Sequence, residues 1–160
     1  MGKGKGKKQP HSPLADRGAH KAPRSAFVDR NEKTPRGRFP NYGGASPLWA
    51  FRIVDFGGPW SWDGIDRETL RHILEKLKSF ETMQWREIEA AGSHFLTDRS
   101  RLSKEARDRL VEIEQDDTDS LFSLRLTARR RIIGIRDGGT LKILWWDPEH
   151  QVAPSTLSHT

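Results

Sequence analysis

The sequence predicts an α+β domain behind a basic tail: an N-terminal strand, then two or three helices packed on one face of a small C-terminal antiparallel sheet. Three observations carry this. LWAFRIVDF, residues 48–56, is short, aromatic and branched, and Gly57-Gly58-Pro59 closes it, as for a strand. Between Arg67 and Phe80, the apolar residues Leu70, Ile73, Leu74, Leu77 and Phe80 recur on one helical stripe. After residue 120 the period changes to short branched and aromatic runs, the last two joined by Asp137-Gly138-Gly139, a hairpin signal. Strand, helices and meander in that order define the class.

The remaining elements follow in chain order. PWSWDGID is a loop that offers Asp63 or Asp66 as the cap of the first helix. Thr82 is positioned to cap a second, short helix that turns Trp85 and Ile88 inward and ends at Gly92, a residue suited to the left-handed position past a helix end. Ser103 is placed to cap a third helix, KEARDRLVEIEQ, with Ala106, Leu110 and Ile113 on one face, and GSHFL lies between the helices. SLFSLRLT, RIIGIRD and TLKILWW supply the meander.

The chain has 160 residues, with 28 Lys/Arg against 22 Asp/Glu, but the charge is unevenly placed. Residues 1–46 carry eleven basic and three acidic side chains, a net of +8, which leaves −2 for the rest. The first 47 residues also hold six of the nine prolines and none of the six tryptophans. Such a segment buries too little apolar surface to offset its conformational entropy, so residues 1–46 are expected to be disordered, residues 47–154 to form a single domain and residues 155–160 to be flexible. A basic tail with Lys3, Lys5, Lys7 and Lys8 attracts nucleic acid weakly and without sequence preference, or serves as a solubilising extension.

The sequence has no cysteine, so disulfides, thiolate zinc sites and a cysteine nucleophile are excluded. No long apolar run and no signal-peptide core is present, which sets the expectation of a cytoplasmic protein with no membrane partner. The histidines have no metal-ligand spacing, the Gly-Lys start follows no strand, and no G-x-S-x-G elbow occurs. The expectation is therefore chemistry without metal or cofactor.

The chemistry-bearing residues lie in the last third. On the strand SLFSLRLT, Phe122, Leu124 and Leu126 point one way and Arg125 the other; Arg129, Arg130 and Arg131 follow at the turn. A sheet-borne arginine cluster suits phosphate, since a guanidinium keeps its charge and offers paired donors; a solvated charged turn is the alternative. After the last strand, Asp147-Pro148 restricts the backbone so that Glu149 and His150 leave in a fixed direction. His150 can exchange a proton near neutrality with Glu149 or Asp147 beside it, or can simply pack at an ordinary turn. Trp145 and Trp146 must divide between the two sheet faces, one entering the core and Trp146 open to stack a base or pack against a partner.

With those residues in view, LRLTARRRIIGIRDGGTLKILWWDPEH resembles the RelE/ParE toxin superfamily, in particular its RNA-cleaving members. An arginine opens the strand pair at Arg131, Asp137-Gly138-Gly139 makes the turn, and His150 follows the terminal strand. KLKSFETMQW and the LWWDPEH ending also resemble a group of small bacterial proteins of no assigned activity. The toxin resemblance implies a RelE-like fold and a metal-independent endoribonuclease in which the RNA 2′-hydroxyl attacks the adjacent phosphate. His150 would act as general base or acid, Arg125 and Arg131 would stabilise the phosphorane, and Glu149 would be a second acid–base group. Arg129, Arg130 and Trp146 would hold nucleic acid. RNA or a ribosome and a cognate antitoxin would be the partners. Two departures stand against it: the folded part is not basic, and Gln151-Val152-Ala153 replaces the aromatic that often follows the histidine. A non-enzymatic nucleic-acid or protein binding module of the same fold is the alternative.

Overall fold

The computed structural model describes residues 41–155. The expected disordered tail therefore lies outside the described residues up to residue 40, as do Lys3, Lys5, Lys7 and Lys8, and so do residues 156–160. The packed structure begins earlier than expected, however. Asn41 caps a 3-10 turn at Tyr42–Gly44, and the Ala45 carbonyl accepts the Trp85 N–H, so residues 41–46 belong to the fold.

The described chain is α+β, with three helices and one five-stranded sheet. In chain order the elements are β1 (Leu48–Ala50), α1 (Arg67–Phe80), α2 (Trp85–Ala90), β2 (His94–Leu96), α3 (Lys104–Glu112), β3 (Leu121–Arg125), β4 (Arg131–Asp137) and β5 (Thr140–Asp147). The strand order is β1-β5-β4-β3-β2. β1 runs parallel to β5 and every other pair is antiparallel, so the sheet is mixed.

Helix α1 starts where its cap dictates: Asp66 accepts the Thr69 N–H at 2.9 Å, and Ile73, Leu77 and Phe80 face inward. Helix α2 begins later than a Thr82 cap predicts, because the Thr82 hydroxyl donates to the Ser79 carbonyl instead, while Glu87 accepts the Gln84 N–H. Ser103 caps α3 as expected. The first strand is shorter than its apolar run. Past Ala50 the chain stays beside β5, through Asp55 N–H to Leu144 O and Trp146 N–H to Trp60 O, but Asp55 turns inward and breaks the ladder. Its carboxylate takes two hydrogen bonds from Arg109, one from the Gly57 N–H and one from Trp145 Nε1, at 2.7–2.9 Å. Burial pushes its pKa up, yet these bonds together hold it below the ordinary carboxylate value.

Two of the helices pack on one face of the sheet, as expected, and the third covers the other. Helices α1 and α2 cover one face over Phe122, Leu124, Ile132, Ile143 and Trp146, whereas α3 covers the other over Leu121, Ile133, Leu144 and Trp145. The second layer is required because both faces of β3 to β5 are apolar, and buried apolar area is the main driving term. A bulge opposite Ile133 and Gly134 leaves Leu144 as the extra residue, so Leu144 and Trp145 both enter the α3 layer. Gly134 is obligatory there, since a Cβ would overlap the Lys142 carbonyl oxygen.

Candidate functional site

Cross-strand register builds the site. Directly paired residues share a face, so His94, Ser123, Ile133 and Trp145 form one row on the α3 side, and Arg125, Arg131 and Asp147 form the next. Helix α3 has nine residues, about 13.5 Å at 1.5 Å per residue, and it packs over Ile133 and Trp145. His94 and Arg125 stay exposed at the end of the sheet.

The second row buries two of its three charged side chains, Arg131 and Asp147. Arg131 is 6% exposed. Its two terminal nitrogens donate to the carbonyls of Thr127, Ala128 and Arg130, and Nε is buried with no partner among the described residues. It therefore clamps the β3–β4 turn rather than presenting a free fork to solvent, which corrects the expectation of a direct phosphate clamp. Burial, then the neighbouring Arg125, lower its proton affinity, and Asp147 opposes them. Asp147 is fully buried and accepts the N–H groups of Gln151 and Val152 at 2.8 and 2.9 Å, closing the turn that follows β5.

That closed turn aims His150. The residue sits at φ 58°, a left-handed conformation that a side chain adopts at a cost, of order 1 kcal/mol or more, unless its surroundings impose it. The imidazole is half-buried. Burial first, then the charge on Arg131, hold its pKa below the ordinary histidine value; His94 and Arg125 push the same way and Asp147 opposes. The charges of Arg131, His94 and Arg125 thus all act on the His150 ring in the same direction. A histidine so placed is neutral near pH 7 and suited to accept a proton.

Arg125 is held by its own surroundings. Its N–H donates to the buried Ser93 hydroxyl at 2.9 Å. Its guanidinium lies so close to Gly92 that a Cβ there would stand 2.8 Å from Nη1, and Gly92 has φ 112°. Gly92 therefore serves Arg125 as well as ending α2. His94 Nδ1 lies 3.2 Å from the Gly92 carbonyl, which can only accept, so Nδ1 carries the proton and the neutral ring leaves Nε2 as its acceptor. Sequence reasoning placed His94 between helices; the strand β2 that presents it is three residues long and mostly exposed, with too little periodicity to read.

The other expected site residues lie around this cluster. Arg129 and Glu149, both exposed, approach to 3.4 Å and link the two turns, so Glu149 is engaged with Arg129. Arg130 and Trp146 both border two grooves of about 330 Å³ each on the α1 side of the β3–β4 turn. Trp146 is 6% exposed and tilts against Trp62 with ring centroids 6.2 Å apart, so the open stacking indole is corrected to a core residue whose edge meets the groove. The two tryptophans do divide between the faces, but α3 seals the second face over Trp145. Among the described residues no group of three or more His, Cys, Asp or Glu side chains gathers as a metal site, and no helix is long and apolar enough to cross a membrane.

No family model, curated protein or solved structure matches the chain.

Proposed function

We propose that the protein is a RelE-like, toxin-type endoribonuclease that works without a metal, with the end of the sheet around His150 as its active site. The observation that carries this reading is the register that sets His94, Arg125 and Arg131 at one end of the sheet, with Asp147, paired to Arg131, closing the turn that carries His150. His150, kept neutral, takes the proton of an RNA 2′-hydroxyl. The 2′-oxygen bonds to the adjacent phosphorus, the bond from phosphorus to the 5′-oxygen breaks, and His94 in its protonated form returns a proton to that oxygen. The products are a 2′,3′-cyclic phosphate and a 5′-hydroxyl. Arg125 contacts the phosphorane, while Arg131 adds a fixed positive field from behind. Glu149 and Arg129 tie the flanking turns, and Arg130 extends the cationic rim. A ribosome as the setting and an antitoxin as the regulator rest on the resemblance alone.

A non-enzymatic nucleic-acid binder of the same fold is the second reading, since the exposed Arg125 and Arg129 suit phosphate contacts without any chemistry. The discriminating experiment incubates the full chain with RNA, alone and with translating ribosomes. Cleavage with cyclic phosphate ends that vanishes for a 2′-deoxy substrate and falls ~10²-fold or more in His150→Asn supports the enzyme. Binding without any cut supports the module.

A further inference from the structure

A group of exposed apolar side chains lies on the outer side of α1. Leu70 and Leu74 are 41% and 53% exposed, and Phe51 and Phe56 beside them are 56% and 70% exposed. The two leucines form a ridge between two shallow grooves, one of about 320 Å³ walled by Phe51, Val54, Phe56 and Trp62, the other of about 430 Å³ edged by Arg67, Arg71 and Lys78. A ridge between grooves is the shape that helices pack with, and apolar side chains gathered this way mark an interaction surface.

The charge pattern selects the occupant. Arg67, Leu70, Leu74, Lys78 and Glu81 lie on one stripe of α1 and its C-cap, at spacings of three, four, four and three residues, symmetric about Leu74. An antiparallel copy of the same helix, turned about an axis through Leu74, sets Arg67 of each chain against Glu81 of the other. It also lays the Lys78 stem over the other chain's Leu70. Among the described residues neither Arg67 nor Glu81 has an ion-pair partner, whereas Arg71 is already engaged by Glu75 at 3.0 Å. The stripe is self-complementary, as an isologous interface must be.

We propose that the protein forms a two-fold dimer through the outer face of α1, with Leu74 on the axis and Phe51 and Phe56 flanking it. The interface is independent of the RNA reading. Sedimentation equilibrium of the full chain is expected to show a concentration-dependent mass approaching that of two chains. Leu74→Glu is expected to weaken association at least ~10-fold, as removal of a central apolar contact does. Arg67→Glu alone is expected to weaken it through repulsion from Glu81, and adding Glu81→Arg is expected to restore it. Both changes favour α1 itself, since an acid near a helix start and a base near its end suit the helix dipole, so lost association would not reflect lost folding. A wild-type chain that stays monomeric at every concentration would overturn the proposal, whether or not another protein covers the face. A dimer indifferent to Leu74→Glu, or a double variant that fails to recover, would overturn it too.

Discussion

Two buried arginines, one on each face of the sheet, are handled in opposite ways. Arg136 lies on the α2 side with its guanidinium 4.1 Å from the Trp85 ring centroid and 3.0 Å from the Glu89 carboxylate, and its Nε donates to the Gly138 carbonyl. Its charge is spent on a counter-ion and an aromatic face. Arg131, on the α3 side, has three carbonyls as hydrogen-bond partners and no ion pair among the described residues, with Arg125 repelling it and the carboxylate of Asp147 acting at longer range. Burial lowers the proton affinity of both. The difference is where the remaining field goes: Arg136 holds β4 against α2, while Arg131 acts on His150.

Removing the counter-charges breaks this comparison most sharply. Asp147→Ala is expected to cost about 2–4 kcal/mol, because it strands the N–H groups of Gln151 and Val152 and removes a charge that favours the Arg131 cation. Chemical denaturation would measure it. Glu89→Ala should cost about 1 kcal/mol, since Glu89 is partly exposed and Arg136 keeps its aromatic neighbours. Equal losses would mean that the two arginines are equivalent.

Gly92→Ala comes next, with about 1–3 kcal/mol expected from the left-handed backbone alone. The new methyl group must also push the Arg125 guanidinium aside, so nucleic-acid affinity should fall alongside stability. A loss of stability with unchanged affinity would remove Arg125 from the site.

How much of this was legible is clear from particular residues. Helix α1 could be read end to end because fourteen residues of regular periodicity follow a good cap. The split of Trp145 and Trp146 followed from strand geometry alone. That both are buried did not, since nothing local says that α3 crosses to the far face. The turn at Asp147-Pro148 was readable, but the left-handed backbone of His150 was not. Nor was the capture of Arg131 by three turn carbonyls, which depends on how the chain closes between residues 127 and 130. Long-range contacts decided each of these.

The smallest expected effect is on pH dependence. The pKa of His150 is lower folded than unfolded, so the unfolded chain binds its proton more readily. The associated stability is complete above an unfolded value of ~6.5 and is lost as pH falls through the folded one. Thermal unfolding should therefore drop more steeply on acidification for the wild type than for His150→Asn, a substitution that tolerates the left-handed backbone. Parallel profiles would detach His150 from the arginine field.

The most direct test of that field is the titration of the His150 ring by NMR in the full chain. The expected midpoint lies below the ordinary ~6.5 of a free histidine, and it rises when Arg125 is replaced by alanine. A midpoint at or above the ordinary value, unmoved by Arg125→Ala, would contradict the convergence of charge on His150 from which the proposed chemistry is built.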